Sequence, residues 1–474
     1  MPSLSRRGVL LGSAGLLAGC APLRLVAPPS PVPPTAALLG DLKERTFRYF
    51  WDTTDPATGL APDRWPTPSF ASIAAVGFAL TAYPIGVVNR WITRAAARDR
   101  TLATLRFFDR ANKGPQEADT TGHMGFFYHF IDRTAGYRLG LTELSTVDTA
   151  LLLGGILFAQ SWFDDEDDPQ EAEIRRLAEA IYVRVDWTWA VQRPPFVSMG
   201  WRPETGFIQS DWNIYNEGML LYILAIASPT YPLPRETWNA WTRTFDASWI
   251  GESANGYTTF PPLFGHQYSQ VWLDLKGLRD DYSRRRGFDY FENSRRATYA
   301  QRAWAVANRG GFKDYGPDIW GLTACDGPGD FTTTVDGVRR TFFSYSARGP
   351  GDRDDGTIAP TAAGGSIAFA PEIVIPALNA MRDRYGAVLY GQYGFFDSFN
   401  PTLTASDQPL LHGRIHPGIG WVDGDHLGID QGPILAMAEN HDTGLVWQTM
   451  RRNPHIRRGL KLAGFTGGWL DVAE

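Results

Sequence analysis

The chain has 474 residues, 43% apolar and 20% charged, which excludes a disordered or low-complexity polymer. Its net charge of −6 is mild and spread along the sequence, so no nucleic-acid partner is expected. With 17 Trp, 18 Tyr and 27 Phe beside 49 Gly and 33 Pro, it can fill a large core and keep flat rings for its loops, a composition suited to gripping sugars.

The N-terminus reads as an export address. Ser5-Arg6-Arg7-Gly8-Val9-Leu10 is similar to a twin-arginine signal, and the apolar run 9–18 falls short of the roughly 20 residues that span a bilayer. Leu17-Ala18-Gly19-Cys20 has the lipobox pattern, so residues 1–20 are the signal and Cys20 is the lipidation site. The Pro-rich segment 21–36 forms a tether, and Ala21 favours the outer membrane. The expectation is a periplasmic, lipid-anchored monomer. Cys325 then stands alone, with no basic neighbour in sequence, and reads as a packed residue.

Apolar spacings of three and four predict helices over 38–51, 73–88, 102–111, 147–163, 171–191, 217–227, 235–249, 268–275, 290–307, 371–385 and 432–439. Strand alternation is brief, as at 339–345. The connections 192–216, 250–267, 308–369 and 386–429 are long and rich in Gly, Pro and aromatics, a mark of functional loops. With no repeat and no composition break, residues 37–474 read as one all-α domain, an α/α toroid with a cleft at one rim.

Three acids open predicted helices: Asp148 after Ser145-Thr-Val, Glu217 after Tyr215-Asn, and Asp430 before Gln-Gly-Pro433. Each fits a structural role: Asp148 in a capping box, Glu217 on the helix dipole, Asp430 as an N-cap. Each also fits acid/base work. Aromatic neighbours would desolvate Glu217 and raise its pKa as a general acid requires, while a polar entrance suits Asp430 as an ionised base. His412, His416, His426 and His441 lack metal-site spacing, so no metal or other cofactor is expected. Asp352-Arg-Asp-Asp-Gly356 reads as a solvated turn and 164–168 as a surface connection.

Longer motifs carry a resemblance. Phe47-Arg-Tyr-Phe-Trp51, Ser145-Thr-Val-Asp-Thr-Ala-Leu-Leu152, Tyr215-Asn-Glu-Gly218, His266-Gln-Tyr268, Tyr290-Phe-Glu-Asn-Ser-Arg295, Trp320-Gly-Leu-Thr323, Asp355-Gly-Thr-Ile-Ala-Pro-Thr361 and Gly428-Ile-Asp-Gln-Gly-Pro433 resemble the bacterial glycoamylase-like family, which includes the endo-β-1,2-glucanases of glycoside hydrolase family 144. The resemblance runs from about residue 40 to about 450. It implies an (α/α)6 toroid that hydrolyses β-1,2-glucan, endo-type favoured and inverting, with Glu217 as acid, Asp430 as base and Asp148 as second base or substrate-site carboxylate. Cys325 departs from the small hydroxyl residue expected there. Trp201, Trp212, Tyr268, Trp320 and Trp421 are candidate sugar platforms, and Glu143, Asn216, His266, Gln267, Glu292, Asn293 and Glu372 candidate hydroxyl partners. The alternatives are another glucan linkage, α-glucan included, and a carbohydrate-binding lipoprotein without catalysis.

Overall fold

The computed structural model describes residues 38–252 and 256–472. The signal, the tether and Cys20 lie outside the described residues. The helices are α1 (Leu38–Thr53), α2 (Ile73–Val88), α3 (Arg94–Arg110), α4 (Thr146–Trp162), α5 (Pro169–Val183), α6 (Met219–Ala227), α7 (Glu236–Thr242) and α8 (Phe264–Trp272). They continue as α9 (Asp281–Arg286), α10 (Tyr290–Ala307), α11 (Pro360–Gly364), α12 (Pro371–Leu389), α13 (Gly428–Asp442), α14 (Leu445–Arg451) and α15 (Pro454–Leu462). No described helix is long and apolar enough to cross a membrane.

The helices sort into two layers by their sequences. In α6, Met-Leu-Leu-Tyr-Ile-Leu-Ala-Ile-Ala is buried on every side, and α2, α4 and α13 are buried along nearly their whole length. A helix apolar all round belongs in an interior. By contrast α3, α5 and α10 carry Arg with Asp or Glu on an outward face and bury one stripe. The interior helices contact one another in chain order: α2 on α4, α4 on α6, α6 on α8, α11 on α13, and α13 back on α2. Between α8 and α11 the link is Gln267, whose Nε2 donates to the Ala362 carbonyl at 2.9 Å.

Glycine sets the closest crossing. A Cβ at Gly155 of α4 would lie 2.0 Å from the Gly77 carbonyl oxygen of α2, and one at Gly77 would lie 2.4 Å from that of Leu151. Nearby the Phe78 ring stacks on Trp272 of α8, centroids 5.1 Å apart, while the indole donates to Thr81 at 3.0 Å. At the C-terminal ends of the interior helices, α14 and α15 form a cover. Trp447 donates to the Gln270 carbonyl, and Asn453 to Ser161.

The N-terminal ends receive the long connections, which are built from short antiparallel strands. Five of them make one sheet in the order Gly122–His123, Phe126–Tyr128, Leu144–Ser145, Gly200–Arg202 and Gly206–Phe207. A hairpin joins Phe331–Val335 to Val338–Phe342, and Arg64–Trp65 pairs with His426–Leu427. Several helix bounds depart from expectation. The fifth helix stops at Val183, because the Asp186 amide turns to the Met124 carbonyl. Helix α13 begins at Gly428 rather than 432 with Leu427 as N-cap, so Asp430 is not the cap. Helix α11 lies in a segment read as a connection, and α9, α14 and α15 lie where no helix was predicted.

Candidate active site

Hydrogen bonds tie the N-terminal turns of the interior helices together. The Ile73 amide opening α2 donates to the His129 carbonyl. Trp212 donates to the Thr146 hydroxyl at the start of α4 (2.8 Å). Ser269 of α8 donates to the Glu217 carbonyl (2.7 Å) and accepts from the Leu220 amide of α6. Thr361 of α11 donates to the Asp430 carbonyl (3.0 Å), and the Gly428 amide to the Asp63 carbonyl (2.8 Å). Asp148, Glu217 and Asp430 therefore stand at the same end of the helix cluster, each 4% exposed or less.

Each acid is placed by a local device. Ser145 caps α4 by accepting from the Asp148 amide (3.2 Å), and its hydroxyl donates to Asp148 Oδ2. Asn216 holds the turn around Glu217: its Oδ1 accepts from the Gly218 amide and its Nδ2 donates to the Asn213 carbonyl. Ile214, in the same turn, has φ +54 and is 43% exposed, a costly backbone conformation for a β-branched residue.

Beside Asp148 lies a histidine that sequence reasoning missed. His129 is buried, with Nδ1 3.0 Å from Glu143 Oε1 and Nε2 3.6 Å from Asp148 Oδ2. Burial would raise the Glu143 carboxyl, but the His129 hydrogen bond and charge, with Arg202 behind them, hold it down at about 2. Glu143, expected to meet substrate, is thus engaged by His129 and Arg202.

A second missed group gathers near the start of α13. Asp63, Asp326, Asp397, Asp423 and Asp425 are all buried, with Arg64 among them. The Arg64 guanidinium donates to Asp326 at 2.6 Å and lies 3.5 Å from Asp425 and 3.4 Å from His412. Burial first, then the charges of Asp326, Asp397 and Asp425, push the Asp423 carboxyl well above the usual range. One atom each of Asp326, His412 and Asp423 lie within 4.8 Å of one another, the spacing of a cation site. Arg64 already supplies positive charge there.

Several expected site residues do other work. Trp320 and Trp421 are fully buried, so they are core and not sugar platforms; Trp421 packs with Val335, Phe342 and Leu403 beneath the hairpin. Trp212 and Tyr268 are also buried, the first tied to Thr146 and the second against Phe264. His266 is at the right end, but its ring bonds Tyr215 and the Phe260 amide, and burial pushes it down to about 3, leaving it neutral. Gln267 is turned to α11, and Asn293 bonds both backbone groups of Thr258.

Glu292 pairs with Arg296 at 2.9 Å on the outer helix α10. Glu372 lines a cavity with Asn440 and His441 at the far end of α13, paired with Arg295. That end lies about 15 Å along the helix from Asp430, at 1.5 Å per residue. Asp355 is no solvated turn residue: it forms a buried two-point pair with Arg348. Cys325 is buried, and burial chiefly pushes its thiol up, which suits a packed residue.

Trp201 remains half-buried on the strand paired with Leu144–Ser145. Trp65, 37% exposed and paired with His426, is a rim aromatic that sequence reasoning overlooked.

The chain is similar to known proteins over most of its length. A curated relative, the exo β-1,2-glucooligosaccharide sophorohydrolase (non-reducing end) of Parabacteroides distasonis, is 29% identical over 457 residues, 90% of this chain. The chain spans 57% of that relative's length. A solved "putative glucoamylase" from Bacteroides uniformis superposes with TM-score 0.77 at 29% identity, covering 93% of this chain and 100% of that one. An endo-β-1,2-glucanase from Chitinophaga pinensis, solved with sophorotriose and glucose, gives 0.75 at 26%, covering 92% and 100%. The family model described as "Putative glucoamylase" matches residues 209–454, which include Glu217 and Asp430. The chain belongs to this glycoamylase-like family.

Proposed function

We propose that the chain is a glycoside hydrolase that cleaves β-1,2-glucan on an (α/α)6 toroid, its six interior helices delivering the acids to one mouth. The observation that carries this reading is the address shared by Asp148, Glu217 and Asp430, on hydrogen-bonded N-terminal turns of the interior helices. The printed activities of the relatives, on β-1,2-gluco-oligosaccharides and β-1,2-glucan, supply the linkage.

In this mechanism Glu217, buried at the start of its helix, protonates the glycosidic oxygen. Asp430 accepts a proton from water attacking the opposite face of the ring, giving inversion, for which the two carboxyls stand ~6.5–9.5 Å apart. Asp148 bonds a substrate hydroxyl or shares the base role. Trp201 and Trp65 offer ring faces for sugar. The residues at 5–20 support export by the twin-arginine route, cleavage before Cys20 and lipid anchoring in the periplasm.

The test is incubation of the purified domain with linear β-1,2-glucan, laminarin and starch, following product size and anomeric form. Cleavage of β-1,2-glucan alone, with inversion, is expected. Sophorose as sole product would mark exo action and a ladder of oligomers endo action. Glu217→Gln should lower kcat by about 10²- to 10⁴-fold with an unchanged melting temperature. Retained full activity in that variant removes Glu217 as the acid. Binding of glucan without cleavage by the parent would leave the non-catalytic lipoprotein.

A further inference from the structure

His129 occupies a position that neither the expected acid/base chemistry nor the family match assigns. Its carbonyl accepts the Ile73 amide that opens α2, and its amide donates to the Glu143 carbonyl at 3.0 Å. The residue is therefore fixed by main chain to the entrance of one interior helix and to the strand leading into another. Its ring stacks on Phe130 at 3.8 Å, and Phe130 in turn meets Phe70 at 4.5 Å. One edge of the imidazole faces Glu143 and the other faces Asp148. Arg202 approaches Glu143 from the next strand at 3.5 Å.

The far side of Asp148 is distinctive. Oδ2 takes the Ser145 hydroxyl and faces His129, whereas Oδ1 is buried and has no hydrogen-bond partner among the described residues. A buried carboxylate oxygen costs free energy until a donor reaches it, so this atom is poised to accept from a bound ligand. An imidazole carrying both protons donates to both carboxylates at once; a neutral one can serve only one of them.

We propose that His129 is a positioning residue, held as an imidazolium between Glu143 and Asp148, which locks the Asp148 carboxylate so that Oδ1 accepts a hydrogen bond from a sugar hydroxyl or from the attacking water. This rests on the reading of the site as a glycoside hydrolase. Glu143 contributes as the counter-ion that keeps the imidazole charged. His129 itself keeps both protons during turnover.

The experiment uses the full domain labelled at histidine, with the His129 resonance assigned by its loss in His129→Gln. NMR titration of the parent, Glu143→Gln and Asp148→Asn is combined with kcat and KM across pH. In the parent, His129 should stay charged through neutral pH, and either substitution should move its midpoint to lower pH. The ratio of kcat in Glu143→Gln to that of the parent, from which the Glu217 limb cancels, should fall as pH rises through the variant's lowered His129 midpoint, with KM within about twofold. His129→Gln should lose about 10- to 100-fold in kcat at the optimum, as a displaced site carboxylate does.

A midpoint unmoved by either substitution overturns the proposal whatever the activity. So does a variant-to-parent kcat ratio in Glu143→Gln that is flat across that midpoint in an active enzyme. If the parent cleaves no glucan, the function reading fails separately, and the titration alone decides whether the triad exists. Should His129→Gln fail to fold, Glu143→Gln and Asp148→Asn carry the same decision.

Discussion

Asp423→Asn tests the charge balance near the start of α13. The buried carboxyls of Asp63, Asp326 and Asp425 pair with the Arg64 guanidinium, and the buried carboxyls of Asp397 and Asp423 lie beside them. They cannot all ionise cheaply, and Asp423, raised by burial and by three of its neighbours, is where a proton stays. The sign follows from linkage. A carboxyl whose folded pKa exceeds the unfolded value, about 3.9, leaves the folded chain with more bound protons in that window, so stability falls as pH rises through it. The slope from one such group is about 1.4 kcal/mol per pH unit. For a folded body of a little over 400 residues the unfolding entropy is roughly 0.9 kcal/mol/K, which turns that slope into about 1.5 °C per pH unit. Asn keeps the shape of the protonated acid and does not titrate. Thermal melts of parent and variant at constant ionic strength should therefore diverge as pH rises above the unfolded value, the variant gaining up to about 1.5 °C on the parent per unit until Asp423 ionises in the folded chain. Parallel curves would refute the assignment of the proton to Asp423.

Two further outcomes follow from burial and strain. Ile214→Gly removes a β-branched side chain from a left-handed backbone, so the melting temperature should hold or rise by about 1 °C, the equivalent of ~1 kcal/mol; a fall of several degrees would show that the turn is unstrained. Trp320→Ala empties a fully buried site and should cost about 3–5 kcal/mol, whereas Trp201→Ala should mainly raise KM for β-1,2-gluco-oligosaccharides. Calorimetry beside steady-state kinetics separates the two, and a Trp320→Ala enzyme with parental stability and a raised KM would reverse the assignment.

The helical layer was legible where a helix is buried on all sides. For α2 the run Ile73–Val88 is apolar at nearly every position, and no loop residue blurs its ends. The same logic failed for α13, because Gly428, Gly432 and Pro433 look like breakers in sequence. There the start is held from outside, by the strand pairing of His426–Leu427 with Arg64–Trp65 and by the Asp63 carbonyl. Pro433, six residues into the helix, gives up one hydrogen bond in an element packed against α2, α8, α11 and α14. Helix α11 is only five residues long and leaves too short a periodic trace to read.

The acids divided in the same way. Asp148, Glu217 and Asp430 could be singled out because each stands at the entrance of its own helix, a local fact. The carboxyls around Arg64 come from several separate strands and turns, and no local pattern distinguishes them from ordinary loop acids. The aromatics misled for a related reason. A Trp in a Gly- and Pro-rich connection reads as exposed when loops are pictured as single threads on a surface. Here the connections fold into a second layer with its own interior: Trp421 sits with Val335, Phe342 and Leu403, and its indole bonds the His412 carbonyl. A layer built from two- and three-residue strands has little regular hydrogen bonding to hold it, so large rings must fix its loops to one another. Much of the aromatic surplus is consumed in making the rim rigid, and Trp65 and Trp201 are among the rings that keep part of a face exposed there.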